Sequence, residues 1–362
     1  MEFIDTVDFG RLFIDSYLLL DVRSEGEFEQ SAIPGSLNIP LLNNEERKAV
    51  GITYKQSGQE EAIELGLNLV SGEVKSKRVE RWKNALAADA PKALFCARGG
   101  LRSQVSQSWL GDAGLQVPRV RGGYKALRNY LIEQNQTLPD KFDFVIIGGS
   151  TGSGKTKFLN QLRGKVSTID LEDLARHRGS AFGNVYGGQP RQATFENSLA
   201  MNLLRSVHSQ ARQIFIESES RRIGSSLLPE SFWKRMSEGK IIVLELSLAE
   251  RVENILEDYV HFVLKSLTIE QFGNYLISSV RRIEKHLGSE LAKNLIKQMS
   301  LAIDEQGRSG SLAGHREWIS TILTNYYDPH YEKHLKKNEN RVILRARPGE
   351  VSSYIGKYYA TA

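Results

Sequence analysis

The sequence predicts two consecutive α/β domains, each built on a parallel sheet, with a helical extension toward the C-terminal end. Three observations predict it. Short apolar runs alternate with stretches of helical periodicity up to Leu246. Two of those runs, Ala93-Leu94-Phe95 and Phe144-Val145-Ile146-Ile147, pass directly into glycine-rich turns that precede helices. Residues 250–335 then carry helical periodicity almost without interruption.

In the first domain, Tyr17-Leu18-Leu19-Leu20 reads as a strand ending in Asp21-Val22-Arg23. Glu25 to Glu29 follows, then the turn signal Pro34-Gly35 and a short strand at Asn38-Ile39 that stops at Pro40. Residues 43–90 are polar and mostly helical in pattern. The next strand delivers Phe95-Cys96-Ala97-Arg98-Gly99-Gly100-Leu101-Arg102-Ser103, with a helix from about Arg102 to Leu110. Cys96 is the only cysteine of the 362 residues. A glycine-rich turn between a strand and a helix aims backbone N–H groups at one point, and the helix N-terminus adds partial positive charge. With Arg98 and Arg102 beside it, such a loop favours an accessible thiolate facing an anion pocket. A lone cysteine after a strand is otherwise a small buried hydrophobe. Gly122-Gly123-Tyr124 introduces the domain's last helix, and domain one is expected to span 1–135, with a polar linker at 136–142.

The second domain, 143–362, opens on Phe144 to Ile147 and Gly148-Gly149-Ser150-Thr151-Gly152-Ser153-Gly154-Lys155-Thr156. Gly149 to Thr156 fits G-x-x-x-x-G-K-T between a strand and a helix, which makes it a P-loop. Backbone N–H groups from Gly152 to Lys155, Ser153 among them, are expected to cradle phosphates. Lys155 would neutralise the terminal one, and the Thr156 hydroxyl could bind Mg²⁺. A strand from Val166 to Ile169 leads to Asp170, and a polar glycine-rich stretch over 177–190 reads as a loop over the site. Phe195 to Val207 is a core-facing helix, and Ile214-Phe215-Ile216 is a strand running into Glu217 and Glu219. In P-loop enzymes an acid at that strand end orients Mg²⁺ or water. Here it is Glu rather than Asp, so metal use stays open. Ser247 with Glu250 and Thr268 with Gln271 form capping boxes. A final strand over 342–344 and a helix over 349–359 close the chain.

Composition bounds the function. Hydrophobic residues at 40% and charged residues at 25% suffice for full cores without disulfide staples. One cysteine excludes an intramolecular disulfide and provides no second thiol to resolve an intermediate on Cys96. No apolar run reaches membrane-spanning length, and a soluble, cytoplasmic protein is expected. The net charge of +5 suits an anionic partner. Basic clusters lie at Arg221-Arg222, Arg281-Arg282 with Lys285, Lys336-Lys337, and Arg341 with Arg345 and Arg347.

Asp21-Val22-Arg23, Glu27-Phe28, Ile33-Pro34-Gly35, Asn38-Ile39-Pro40, the Cys96 loop and Gly122-Gly123-Tyr124 together resemble a rhodanese domain, which carries sulfur or selenium on its loop cysteine. The stretch from about 43 to 80 is longer than a plain rhodanese needs. Joined to the P-loop, to His177-Arg178-Gly179-Ser180-Ala181-Phe182-Gly183, Gln189-Pro190-Arg191-Gln192, Glu217-Ser218-Glu219-Ser220-Arg221-Arg222 and Tyr326-Tyr327-Asp328-Pro329, the pattern resembles the bacterial tRNA 2-selenouridine synthase family nearly end to end. The resemblance implies replacement of sulfur in the wobble 2-thiouridine of tRNA by selenium from selenophosphate. It also implies an S-geranyl intermediate made with geranyl diphosphate. On that resemblance Cys96 is the catalytic residue, the P-loop binds phosphate, and Asp170, Glu217 and Arg221 are candidate supporting residues. No tightly bound cofactor is expected, Mg²⁺ is left open, and the oligomeric state is not read. Tyr124, Phe182, Tyr186 and Trp318 are candidates to stack on the splayed uridine. The residues alone leave two other readings: a P-loop kinase or NTPase with a regulatory rhodanese-like domain, and a phosphatase, because Cys96 to Arg102 also satisfies C-x5-R.

Overall fold

The computed structural model describes residues 2–179, 182, 183, 188–265 and 267–359. By its internal contacts the chain forms two units: residues 1–139 with 191–210, and residues 140–190 with 211–362.

The first unit holds the strands β1 (Phe3–Ile4), β2 (Leu18–Asp21), β3 (Leu37–Asn38), β4 (Lys92–Phe95) and β5 (Arg119–Val120) in the order β1-β5-β4-β2-β3. All pairings are parallel, and Asp21 lies in register with Phe95. The two strand ends that carry Asp21 and Cys96 are therefore adjacent, at the carboxyl edge where parallel sheets bind ligands. Leu20, Val22, Leu94, Trp82 and Leu110 share one core cluster. Trp82 satisfies its indole N–H on the Ile39 carbonyl at 2.9 Å. The polar stretch after β3 is three helices, Asn44–Ser57, Gln59–Leu69 and Gly72–Ala85, the first opened by an Asn43/Glu46 capping box.

Two features differ from the sequence reading. Residues 136–142, expected as a polar linker, are folded and partly buried. The helix Gly123–Thr137 runs into a 3-10 turn at Leu138–Lys141, with Leu138 and Pro139 buried. The helix Gln192–His208, which follows the P-loop in sequence, packs in the first unit against the helices Gly123–Thr137 and Phe9–Ile14. Buried Asn197 explains its place: its amide donates to the Ala32 carbonyl at 2.7 Å and its oxygen accepts from Arg128 at 2.9 Å.

The second unit holds β6 (Asp143–Gly148), β7 (Thr168–Ile169), β8 (Gln213–Glu217), a small hairpin of β9 (Arg222–Ile223) and β10 (Ser226–Leu227), β11 (Lys240–Leu244) and β12 (Val342–Ala346). The main sheet runs β12-β11-β6-β8-β7, all parallel. The strand expected over 166–169 shortens to two residues. Val145, Ile147, Phe158, Phe215 and Ile242 form the core under the P-loop helix. The helices Leu248–Ile255, Ile269–Leu287, Ser289–Ser309 and His315–Ile322 build a separate core around Phe272, Leu276, Leu295, Met299 and Trp318. Both expected capping boxes are present, at Ser247 and Thr268. Among the described residues no helix is long and apolar enough to cross a membrane.

Candidate functional site

In the first unit, β4 ends at Phe95 and the chain turns through Cys96 to the helix Leu101–Asp112, with Gly100 at its N-cap. A second glycine turn holds this loop. The Tyr124 N–H donates to the Cys96 carbonyl at 2.8 Å, and the Lys125 N–H donates to the Ala97 carbonyl at 3.0 Å. Gly99 and Gly123 have φ of +67° and +59°, values that favour glycine. A side chain on Gly123 would strike the Cys96 carbonyl, and one on Gly99 would meet the Gly122 nitrogen at 2.8 Å. Gly122-Gly123-Tyr124 is thus a brace for the cysteine loop.

The cysteine itself departs from the accessible thiolate read from the sequence. Cys96 is 3% exposed. Its Sγ lies 3.3 Å from the Ser103 hydroxyl and 3.9 Å from the Gly100 carbonyl, so the first turn of the following helix closes over it. The two arginines also divide. Arg102 is taken up by Glu27, at 2.6 and 3.0 Å, whereas exposed Arg98 makes no ion pair with any described residue. Burial works against charge on Glu27, but Arg102, the Ser24 N–H and Arg47 outweigh it and hold the carboxyl at about 2. Asp21 is fully buried under Arg23, with Nη2 to Oδ2 at 2.6 Å; burial still pushes its carboxyl above the ordinary value. The same Arg23 guanidinium lies 3.9 Å from the centre of the Tyr124 ring.

In the second unit, the loop after β6 turns through Gly149, Gly152 and Gly154 with φ of +146°, +83° and +73°. A Cβ on Gly152 would lie 2.8 Å from the Arg251 carbonyl. Arg251 in turn donates to the Thr151 carbonyl at 3.2 Å and holds Asp328 at 2.7 and 2.8 Å, and Asn254 donates to the Gly152 carbonyl at 2.8 Å. The Tyr326-Tyr327-Asp328-Pro329 stretch therefore supports the loop from behind through Asp328. Ser153 is buried, and its hydroxyl finds no partner among the described residues. Lys155 Nζ donates to the Gly149 carbonyl at 2.9 Å, and the Thr156 hydroxyl donates to Glu172 at 2.8 Å.

Glu172 is the residue that the sequence reading did not single out. Its second carboxylate oxygen accepts the Gly179 N–H at 2.7 Å, and its own N–H donates to Glu217 at 2.8 Å. The only sequence signal for it is the acidic run Asp170-Leu171-Glu172-Asp173. Glu217 is fully buried, and its other oxygen has no partner among the described residues. Burial, then the Asp170 and Glu172 carboxylates, push its carboxyl well up; burial and Glu172 push Glu219 up to about 8, against Lys155. Carboxyl groups crowded in this way favour a cation or shared protons between them. A cavity of about 600 Å³ lies over these groups, lined by Lys155, Thr156, Glu172, Arg178, Glu219 and Tyr259. Among the described residues no group of three or more His, Cys, Asp or Glu is arranged to hold a metal ion by itself.

The remaining candidates sit elsewhere. Asp170 caps the helix Leu171–Ala175, accepting the Asp173 N–H at 2.9 Å, and burial raises it to about 6. Arg221 is exposed and does not line the cavity. Trp318 is 2% exposed with its indole N–H on His315 at 2.9 Å, and buried Phe182 lies against it at 6.0 Å between centroids. Trp318 is a core residue of the helical extension, Phe182 packs into that same core, and neither presents a face to a base. Tyr124 has one face under Arg23, and Tyr186 lies outside the described residues. Of the basic clusters, Arg341 is structural, donating to the Gly239 and Met236 carbonyls at 2.8 and 2.9 Å.

A family model described as the tRNA 2-selenouridine synthase AAA domain matches residues 142–362, and the rhodanese-like domain matches residues 10–130. The tRNA 2-selenouridine synthase of Marinobacter nauticus is 43% identical over 358 residues, covering 97% of each chain. That of Shewanella loihica is 40% identical over 363 residues, covering 98% of this chain and 97% of its own. The namesake from Pseudomonas syringae pv. tomato is 41% identical over 358 residues, covering 97% of each.

Proposed function

The chain belongs to the tRNA 2-selenouridine synthase family, and from that premise we propose that it exchanges the sulfur of a wobble 2-thiouridine for selenium in two steps. In the first, the thiouridine sulfur attacks the allylic carbon of geranyl diphosphate and diphosphate departs. In the second, selenium from selenophosphate takes the place of the geranylated sulfur at C2, geranyl thiolate departs, and water releases phosphate from selenium. The first step serves the second: a thiocarbonyl sulfur is a poor leaving group, and alkylation lets it depart as a thiolate.

The observation that carries the reading is the P-loop of the second unit. Diphosphate departure places growing negative charge on oxygens, which fixed donors must meet. Lys155, the N–H groups of the turn and the Thr156 hydroxyl are such donors, and the lysine's present contact is a carbonyl that a phosphate oxygen can replace. Mg²⁺ belongs to the proposal as an ion that the Thr156 hydroxyl and the diphosphate's own oxygens would hold, with Glu172 and Glu219 nearby.

Cys96 is assigned to the second step. Selenium in selenophosphate and sulfur in a thiolate are both fully reduced, so loading selenium on Cys96 as a perselenide requires a two-electron oxidant. A redox-neutral relay has the Cys96 thiolate displace the geranylated sulfur at C2 and selenophosphate then displace Cys96. The test is mass spectrometry of anticodon nucleosides after incubating the protein with thiolated tRNA and each donor separately. Geranyl diphosphate alone should give the S-geranyl nucleoside, and adding selenophosphate should convert it to 2-selenouridine. Neither product with either donor would overturn the proposal.

A further inference from the structure

We propose that the groove between the helices Asn44–Ser57 and Gln59–Leu69 and the Cys96 loop is a subsite for a prenyl chain joined to a phosphate-bearing head. The choice of a geranyl chain rests on the activity proposed above; the groove's chemistry does not. Its volume is about 920 Å³, toward the upper end of the roughly 300–1,000 Å³ usual for small-molecule sites. Leu41, Leu42, Val50, Ala62, Ile63 and Val70 line it. Four large apolar side chains that solvent reaches, Ile52, Tyr54, Leu67 and Leu101, open onto the same groove. An apolar surface gathered in one concavity, instead of scattered singly, marks a binding site.

The polar part of the lining is of one sign. Arg47, Lys48, Lys55, Arg98 and Arg102 border the groove, and no carboxylate does. Glu27 pairs with both Arg47 and Arg102, whereas Lys48, Lys55 and Arg98 make no ion pair with any described residue. A pure phosphate site would not need the apolar walls, and a pure hydrocarbon site would not leave three cations unpaired beside it. An amphiphile with an apolar chain and an anionic head satisfies both. Arg98, Gly100 and Leu101 bring one end of the groove to the loop that carries Cys96, although the cysteine itself does not line it.

In the proposed reaction the molecule with this chemistry that meets the Cys96 loop is the geranylated nucleotide of the RNA; geranyl diphosphate shares the chemistry, but its head is assigned to the P-loop, so it serves as the comparison. Calorimetric titration of the full chain separates them. One arm compares geranyl diphosphate with inorganic diphosphate. The other compares an anticodon stem-loop carrying S-geranyl-2-thiouridine with the same stem-loop carrying 2-thiouridine. Ile52→Asp with Leu67→Asp should weaken a prenylated probe about tenfold or more and leave its unprenylated counterpart unchanged. Lys48→Glu with Lys55→Glu should weaken the same prenylated probe. Loss in the stem-loop arm supports the inference; loss in the geranyl diphosphate arm alone overturns the assignment of the groove to the geranylated nucleotide. If the aspartate pair lowers the unfolding midpoint, Ile52→Ser with Leu67→Ser is read by the same criteria. Equal binding of both prenylated probes by wild type and groove variants overturns the inference. So does a wild type indifferent to the prenyl group, which would turn the search to an acidic amphipathic peptide. Groove-dependent binding in a protein that yields no geranylated nucleoside would overturn the proposed activity and leave the subsite standing.

Discussion

Arg102 and Glu27 are joined by two hydrogen bonds, from Nη1 to Oε2 at 2.6 Å and from Nη2 to Oε1 at 3.0 Å. The cation that the loop sequence offers to an incoming anion is thus held by a carboxylate of the Asp21–Glu29 segment, and both side chains are mostly buried. Such a pair fixes the position of the helix that follows Cys96. Leaving one partner behind costs more than the pair itself contributes.

The pair has a pH signature. The Glu27 carboxyl is lowered from 4.5 to about 2 on folding, so over that interval the unfolded chain binds more protons than the folded one. Its contribution is complete above pH 4.5 and is lost as pH falls toward 2. Glu27→Gln should lower stability by roughly 1–3 kcal/mol at pH 7. Urea unfolding of variant and wild type should converge as pH drops through that interval. A gap that stays constant from pH 7 to pH 3 would show that the charge on Glu27 is not what matters.

Trp318 should act on stability, not on RNA recognition. It is enclosed, bonded to His315 at 2.9 Å and backed by Phe182. Trp318→Ala should cost about 3–5 kcal/mol of stability by opening a cavity. Trp318→Phe, which keeps most of the volume, should retain full affinity for an anticodon stem-loop. A Trp318→Phe variant that is stable yet binds the stem-loop weakly would return this residue to the list of base-stacking candidates.

The strands, the two glycine-rich turns and the capping boxes were legible because each is encoded by residues next to one another in sequence. What could not be read is non-local. Nothing near Cys96 announces that Glu27, 75 residues away, occupies Arg102. Trp318 and Phe182 look alike in sequence whether they face a base or a core. The apolar residues of the helix Gln192–His208 encode a buried face without encoding which sheet's layer it joins, and here buried Asn197 decides it through Ala32 and Arg128. Glu172 is visible as an acid, but its place between Thr156, Gly179 and Glu217 depends on a strand 45 residues later.

That helix bears on how the protein can be divided. A fragment starting at Asp140 keeps Gln192–His208 while removing the helices Phe9–Ile14 and Gly123–Thr137 that it packs on. Phe195, Leu199 and Leu203 belong to the core of the intact chain, and Asn197 would lose both partners. The fragment should aggregate or unfold at lower temperature than the full chain, and replacing residues 191–210 by a short polar linker should recover solubility. Light scattering and a thermal melt of both fragments check this. An intact, monodisperse 140–362 fragment would mean that the helix needs no first-unit partner.

On the activity proposed above, the two sites should separate by step. Departure of diphosphate from an allylic carbon needs donors that meet its charge in the transition state, and Lys155 supplies the full positive charge of the P-loop turn. Cys96 offers nothing to that step, because the attacking sulfur belongs to the RNA. Lys155→Ala should therefore lower geranylation by about 10²–10³-fold, the usual effect of losing one such donor. Cys96→Ala should spare geranylation, abolish selenation and let S-geranyl RNA accumulate. Cys96→Ser, which keeps the size and the contact to Ser103 but provides a far weaker nucleophile, should behave like alanine. RNA supplied already geranylated discriminates further: Lys155→Ala should selenate it at the wild-type rate if the sites act independently. Quantifying both nucleosides for each variant decides the matter. Loss of geranylation in Cys96→Ala, or full geranylation in Lys155→Ala, would overturn the division. Failure of Lys155→Ala on geranylated RNA would instead mean that one anion site serves both donors.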